Sequence, residues 1–498
     1  MENIAARLYS AAQVRELDRR AIEDCGIPGY TLMQRAALAA WRAAQARWPQ
    51  LRAVIVLCGP GNNGGDGYEL ACLARADGCK VRVFECEDLP RRGDALTARA
   101  AWLAVGSIER WSLTSGEALL TVDLIVDALY GIGLSRAPEG ETADAIVTAN
   151  VAKANGAAVL ALDIPSGLIA DTGHMPGVVI NADMTMTFIA EKIGLLTGQG
   201  PAFTGQVELA TLDVPERVHD GLIPIAQRID AEDLHRWLPR RSRTGHKGDH
   251  GHVLLIGGDH GMLGAILLAG RAALRAGAGL VTIATRAVHA PLLAAAQPDL
   301  MVRGVESASE LAMLIARADV IAVGPGLGTD DWSRMMFGAA MAATLPMVID
   351  ADALNLLAQQ SPSRRRDDWL LTPHPGEAGR LLGCSTAAVQ QNRIAAVQAL
   401  QARYGGAVVL KGAGSLIADG AVLRLCPYGN PGMGVGGMGD VLTGISAAFL
   451  AQDLPLGIAA AAAVTVHARA GDAVAAAGGE RGLIASDVVD ALRAQVNP

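Results

Sequence analysis

Residues Asn430 to Ile445 read NPGMGVGGMGDVLTGI, a glycine-rich run that ends on one acid, Asp440, and passes directly into an apolar helical segment. Glycine lets the backbone turn sharply and approach a ligand closely. The first turn of the following helix offers unpaired N–H groups and the positive end of a dipole, a seat for phosphate. A carboxylate there is ill suited to binding an anion. It suits a base that removes a proton from a hydroxyl while a phosphoryl group arrives. The chemistry indicated is phosphoryl transfer to a small alcohol; the plainer alternative is an acid in the first turn of a helix. The P-loop pattern G-x-x-x-x-G-K-[ST] does not occur.

A second concentration of polar residues lies near the N-terminus. Cys58 to Tyr68 reads CGPGNNGGDGY and contains a formal G-x-G-x-x-G in Gly59, Gly61 and Gly64, with Glu85 where a dinucleotide fold wants an acid for the ribose. Two details weaken the dehydrogenase reading. Asn62 and Asn63 fill the variable positions with amides, and Asp66, expected at the helix start, would repel a pyrophosphate. The turn suits hydrogen bonding to hydroxyls or amides, or a cation held by oxygens. Asp127 opens DALYGIGLSRA, with Gly131 and Gly133, and Asp163 opens DIPSG, with Ser166 and Gly167. Each acid alone reads as a cap or turn former. Together, at the ends of strands of one sheet, they favour a site.

The elements that must position these groups follow from the apolar pattern. In the first half, strands are expected at 54–57, 81–84, 124–126 and 158–161, with helices near 11–24, 31–47, 66–76, 94–105 and 141–154. Alternating strands and crossover helices give an α/β doubly wound, Rossmann-like sheet, whose carboxyl ends line one crevice. A second βα series has strands at 253–256, 281–283, 320–323, 347–349 and 408–410, and a buried helix is expected around 458–466. The intervening stretch, near 215–228, holds prolines, charges and weak periodicity. The expected domains are 1–220 and 225–498. In the second half, glycine-bearing turns follow the strands: Gly257-Gly258-Asp259 with Gly264-Ala265 behind it, Gly324 to Gly328, Thr372 to Glu377, and Lys411 to Ser415. His374 is held between two prolines, which restrict its backbone.

Composition excludes other classes. A chain of 498 residues exceeds one ordinary core. Hydrophobic content of 51% with 4% aromatics fits a compact Ala/Val/Leu-rich protein, and a net charge of −8 without a basic face argues against nucleic-acid binding. The densest basic run, Arg240 to Lys247, reads as a solvated loop. Seven scattered cysteines form no C-x-x-C pair, so reduced thiols and a cytoplasmic location are expected. Neither a signal peptide nor a membrane span is expected.

GPGNNGGDG, DALYGIGLSR and DIPSG resemble the NAD(P)H-hydrate epimerase family, to about residue 215. The resemblance implies that Asn62, Asn63, Gly64, Gly65 and Asp66, together with Gly131, Ile132, Gly133, Leu134, Ser135, Arg136 and Ala137, contact the hydrated nucleotide. It implies a potassium ion on Asn63, Asp127 and Ser166, and Asp163 as the acid/base. Lys192 fits the family's pattern but reads equally as a solvated lysine, and no role is assigned to it. HKGDHGHVLLIGGD, GPGLG, LTPHPGE, KGAGS and NPGMGVGGMGD resemble, in order, the ribokinase-like superfamily and its NAD(P)H-hydrate dehydratase branch, from about 240 onward. That resemblance implies Lys411, Gly412, Ala413, Gly414, Ser415 and Gly439 on the nucleotide. It implies Ala265, Gly326, His374 and Asp440 on the substrate, with Asp440 the base and magnesium on ADP.

The two together imply repair of hydrated NADH and NADPH. One site interconverts R and S at C6; the other phosphorylates the C6 hydroxyl and eliminates phosphate. His374 is a candidate for taking the C5 proton. A homo-oligomer, tetramer or larger, is also implied. The alternative is a hydroxymethylpyrimidine or hydroxyethylthiazole kinase fused to a nucleotide-binding or scaffolding domain.

Overall fold

The computed structural model describes residues 6–87, 90–112, 115, 119, 122–360 and 364–498. The chain divides into two compact units, Met1–Ala226 and Gln227–Pro498.

Among the described residues the first unit has a sheet of seven strands, β2 (Ala53–Cys58), β3 (Lys80–Glu85), β4 (Ile108–Arg110), β5 (Leu124–Ala128), β6 (Ala158–Leu162), β7 (Met184–Phe188) and β9 (Gln206–Ala210). All pairings are parallel, in the order β4-β3-β2-β5-β6-β7-β9. The short strands β1 (Arg7–Tyr9) and β8 (Glu191–Lys192) pair with each other outside this sheet, placing Tyr9 opposite Lys192. Continuous apolar runs such as Val54-Ile55-Val56-Leu57 are buried on both faces, which a parallel sheet covered by helices requires. The chain enters at β2, runs outward through β3 to β4, then returns to β5 on the other side. The loops after β2 and β5 therefore flank the point where the winding reverses, the usual ligand crevice of such sheets.

The second unit repeats the logic. Its strands are β10 (Ala226–Arg228), β11 (His252–Ile256), β12 (Leu280–Thr285), β13 (Met301–Gly304), β14 (Val320–Val323), β15 (Met347–Ile349), β16 (Trp369–Leu371), β17 (Ala407–Leu410), β18 (Ser415–Ala418) and β19 (Leu423–Cys426). They run in the order β13-β12-β11-β14-β15-β16-β17-β18-β19-β10, with β18 antiparallel to both neighbours. Winding reverses between β11 and β14, and the loops there carry Gly257–Asp259 and Gly324–Gly328. The Ala-rich segment forms the long helix Leu456–Gly478, buried along most of its length against the core.

Two expectations are corrected. The helix expected from 66 begins at Asn62, so Asp66 sits in its second turn, not at its start. Strands β1, β4, β7, β8, β9, β10, β13, β16, β18 and β19 were not foreseen. They are short or interrupted by polar residues: β7 reads MTMTF, and its Thr185 and Thr187 are buried through hydrogen bonds to Thr204 and Lys192.

Candidate active sites

In the first unit a cavity of about 510 Å³ opens at the reversal point. The turn after β2 supplies Pro60 and Gly61, the helix that follows it supplies Asn62, Asn63 and Asp66, and the loop after β5 supplies Leu129 to Leu134. Asp163, beyond β6, Lys192, from β8, Arg15 and Asp18, from helix Ala11–Arg19, and Asp94 add to the polar lining. Gly59 permits the closure, because a Cβ there would lie 1.8 Å from the Leu129 carbonyl oxygen. Gly64 and Gly65 are buried behind the wall, where a Cβ would meet the Gly59 carbonyl at 2.1 Å and Met33 Cε at 2.5 Å. Their small size packs the helix; it does not line the cavity. Arg136 and Ala137 line a neighbouring depression beside Tyr130, and Ser135 is exposed outside both.

Lys192 is fully buried and not solvated. Its ammonium donates to Asp163 Oδ1 at 2.5 Å, Thr187 Oγ1 at 3.0 Å and the Phe188 carbonyl at 2.9 Å. Asp163 adopts φ 67°, a left-handed conformation that aspartate tolerates better than most residues and that often marks functional positions. Burial raises the Asp18 carboxyl to about 6 and the Asp66 carboxyl well above the usual range, with Asp163 adding to both and Lys192 opposing. Asp127 is fully buried. Its Oδ2 accepts from Ser166 N at 2.8 Å, and its Oδ1 from Ser166 Oγ at 2.6 Å and Leu129 N at 3.2 Å. Burial pushes its carboxyl up to about 6. The side-chain oxygen and nitrogen of Asn63 are both buried without a hydrogen-bond partner.

The formal dinucleotide fingerprint fails on geometry. Glu85 Oε1 accepts from Tyr68 Oη at 2.7 Å and from Arg99 Nε at 2.6 Å, with Arg91 3.5 Å from Oε2, so the carboxylate is tied into the protein and does not line the cavity.

In the second unit Asp440 is the third residue of helix Met438–Ala451. Gly437, with φ 92°, precedes the helix and gives it no side-chain cap, so the first amides stay available. A Cβ on Gly439 would sit 3.2 Å from Lys411 Nζ and 3.4 Å from Asp350 Oδ2, which brings the glycine-rich motif and the turn after β17 together. Lys411 donates to Asp350 Oδ1 at 2.8 Å and lies 3.8 Å from Glu377; Thr443 donates to Asp350 Oδ2 at 2.8 Å. Burial, with Asp350 and Asp352 nearby, raises Asp440 to about 7 against the opposing charge of Lys411. Buried Arg393 donates to the carbonyls of Leu410 and Lys411 and braces the Lys411–Ser415 turn. Within that turn Ser415 Oγ donates to the Gly412 carbonyl at 2.9 Å.

Ala265 and Gly326 meet at the reversal point, where Gly326 takes φ 56° and a Cβ on it would lie 3.2 Å from the Cβ of Ala265. His374 caps helix Pro375–Leu382: its Nδ1 accepts from Gly376 N at 3.0 Å and Glu377 N at 3.4 Å. That assignment puts the proton of the neutral ring on Nε2, 3.4 Å from Glu377 Oε1. Burial and the charges of Lys411 and Arg380 lower its pKa. In this arrangement His374 is set to donate a hydrogen bond, which counts against its role as the C5 base.

Sequence reasoning missed Asp18, Asp350 and Arg393 and assigned nothing to Lys192. Asp350 ends strand β15, so the strand-end rule applied to Asp127 and Asp163 would have found it. For Lys192 the sequence carries no signal of burial.

Residues 253–493 match the family described as NAD(P)H-hydrate dehydratase, and residues 29–194 match that described as YjeF-related protein N-terminus. The bifunctional NAD(P)H-hydrate repair enzyme Nnr of Coxiella burnetii is 45% identical, over 99% of this chain and 99% of its own. The Escherichia coli protein of that name is also 45% identical, over 100% of this chain and 95% of its own. Among solved structures, a ribokinase-like superfamily protein from Enterococcus faecalis aligns with a TM-score of 0.51 at 31% identity, over 55% of this chain and 96% of its own. The chain therefore belongs to the bifunctional NAD(P)H-hydrate repair enzyme family.

Proposed function

We propose that the chain repairs hydrated NADH and NADPH at two sites, epimerising the C6 hydroxyl in the first unit and dehydrating the S isomer at the expense of ADP in the second. The observation that carries the reading is Asp440 on the first turn of an uncapped helix, with Gly439 against Lys411. Free helix amides and a lysine favour the phosphates; the acid beside them takes the proton of the substrate hydroxyl. Hydroxide is a poor leaving group at neutral pH and phosphate a good one. Phosphorylation followed by loss of phosphate and the C5 proton restores the dihydronicotinamide. The Lys411–Ser415 turn and Gly439 hold the nucleotide; Ala265, Gly326, His374 and Asp440 face the substrate. Asn62, Asn63 and Asp66, with Gly131 to Leu134, bind the hydrate in the first unit, where Asp163 is the acid/base.

Magnesium fits as a companion of the nucleotide phosphates, neutralising their charge. Among the described residues no group of three or more His, Cys, Asp or Glu gathers to hold a metal, and both Asp350 oxygens are already engaged. A potassium ion fits the other site. Asn63 has an orphaned buried carbonyl oxygen, and Asp127 and Ser166 are buried oxygen donors. The ion would offset the buried Asp127 charge and order the loops after β2 and β6. Potassium, but not choline chloride, should raise the melting temperature of the first unit, and Asn63→Ala should abolish the difference.

A cytoplasmic homo-oligomer belongs to the same reading. No helix among the described residues is long and apolar enough to cross a membrane. Mixed R and S NADHX incubated with ADP, with ATP and with neither tests the core claim. Regeneration of NADH from both isomers with ADP is expected. No regeneration with either nucleotide, and turnover of a free hydroxymethylpyrimidine or hydroxyethylthiazole, would favour the kinase alternative.

A further inference from the structure

We propose that Asp66 and Asp163 are two separate proton-transfer groups in the cavity of the first unit, each serving one epimer, and that Lys192 is the positioning residue that makes them unequal. The inference rests on the reading that this cavity epimerises the hydrate.

The two carboxyls come from different elements. Asp163 follows β6, and Asp66 lies on the second turn of helix Asn62–Ala76; both line the cavity. Lys192 is spent on Asp163: its ammonium has three acceptors at 2.5–3.0 Å and no exposure, so it cannot swing to a second carboxyl. Among the described residues the Asp66 carboxyl has no hydrogen-bond or ion-pair partner. Burial, with the neighbouring Asp163 charge, raises its pKa well above the usual carboxyl range. One acid carries a buried ammonium and the other carries none, an inequality that suits a base and an acid. The other charged groups around them are Arg15, Asp18, Glu69 and Asp94. Arg15 is turned to the Ile132 carbonyl and Glu69 is held by Tyr30.

The chemistry balances with water alone. In one direction Asp66 gives its proton to the C6 hydroxyl, and the C6–O bond breaks with its electron pair leaving in water. The ring nitrogen lone pair forms the N1–C6 double bond. A water then adds to the other face of C6 and loses its proton to the Asp163 carboxylate. Reversal uses Asp163 as the acid and Asp66 as the base, and solvent returns the proton between turnovers. A single acid/base, with Asp66 merely a buried contact, cannot separate loss of oxygen from inversion in this way.

The test uses the full chain and each pure epimer of NADHX in ¹⁸O-water, following inversion and ¹⁸O entry separately. Asp66→Asn should lower inversion by about 10²–10⁴-fold. It should still exchange ¹⁸O into the one epimer served by Asp163, without inverting it; Asp163→Asn should do the opposite. Lys192→Met should slow both directions equally, and Lys192→Arg should recover part of the rate. The circular-dichroism spectrum and melting curve of each variant report folding of the first unit, and Asp66→Glu gives a second substitution at that position. Inversion by Asp66→Asn within threefold of the parent overturns the proposal. So does loss of exchange into both epimers in a variant whose first unit is folded, or an inverted product that keeps its original oxygen. A parent chain that does not epimerise at all defeats the underlying reading instead.

Discussion

Lys192 and Lys411 are the same residue in nearly the same company, yet they are equipped for different work. Each is ion-paired to one aspartate, Asp163 or Asp350, and each has a further carboxyl nearby, Asp66 or Asp440, whose pKa burial raises. Lys192 has no exposed surface and three acceptors, so its donors are used up. The Lys411 side chain keeps 20% of its surface exposed and stands against an uncapped helix start. A saturated lysine can only orient its partner. A lysine with spare donors, beside free amides, can meet an incoming anion. Accessibility, more than residue type, separates the proton-transfer site from the phosphoryl-transfer site.

The largest expected effect tests whether the two sites are independent. Asp440→Asn keeps the side-chain volume and removes the base. ADP-dependent NADH regeneration should fall by about 10³-fold or more, within the usual range for a general base, while epimerisation stays within twofold. Both rates are read from one preparation by chromatography of the two isomers. Loss of both in a folded variant would end the division of labour.

Substituting the lysines sharpens the contrast. Lys192→Met leaves Asp163 without its buried partner, which should cost about 3–5 kcal/mol and lower the melting temperature whether or not nucleotide is present. Magnesium-ADP should still protect the second unit in that variant. Lys411→Met should abolish the protection, worth about 2.7 kcal/mol when ligand is at a hundred times its dissociation constant. Protection of Lys411→Met equal to the parent's would remove Lys411 from the nucleotide site.

The sequence showed the acids at strand ends more readily than the groups that govern them. Asp127, Asp163 and Asp440 were legible because a strand or a glycine turn leads straight into each. Asp350 obeys the same rule and was passed over because no glycine follows it. Lys192 was illegible: its three acceptors come from Asp163, Thr187 and Phe188, which only folding gathers. The helix beginning at Asn62 was read late because two glycines and two asparagines look like a loop; the close approach to the Leu129 carbonyl at Gly59 is a tertiary fact. Short edge strands such as β4 and β13 lack the apolar run that marked the central ones.

A smaller effect comes from pH. Asp440 is raised to about 7, chiefly by burial, and acts as a base only when ionised. Dehydratase kcat/KM should therefore fall below about pH 7, approaching tenfold per pH unit, and level off above it. Epimerisation should not share that limb, because Asp440 takes no part in it. Coincident profiles for the two activities would mean that a common step limits both.

The smallest effect concerns Glu85, where a dinucleotide fold would place its ribose-binding acid. Here Tyr68 and Arg99 hold the carboxylate, with Arg91 close by, and the side chain does not line the cavity. The Arg99 and Tyr68 bonds outweigh burial and keep its pKa below the ordinary value. Glu85→Gln should thus cost about 1–3 kcal/mol of stability, from a weakened buried hydrogen-bond group. KM for the hydrated dinucleotide should stay within twofold. A ribose-binding acid would behave the other way, with KM rising and the melting temperature unchanged. Because the two roles move different observables, this nearly silent substitution decides whether the glycine turn after β2 works as a dinucleotide fingerprint or only shares its spelling.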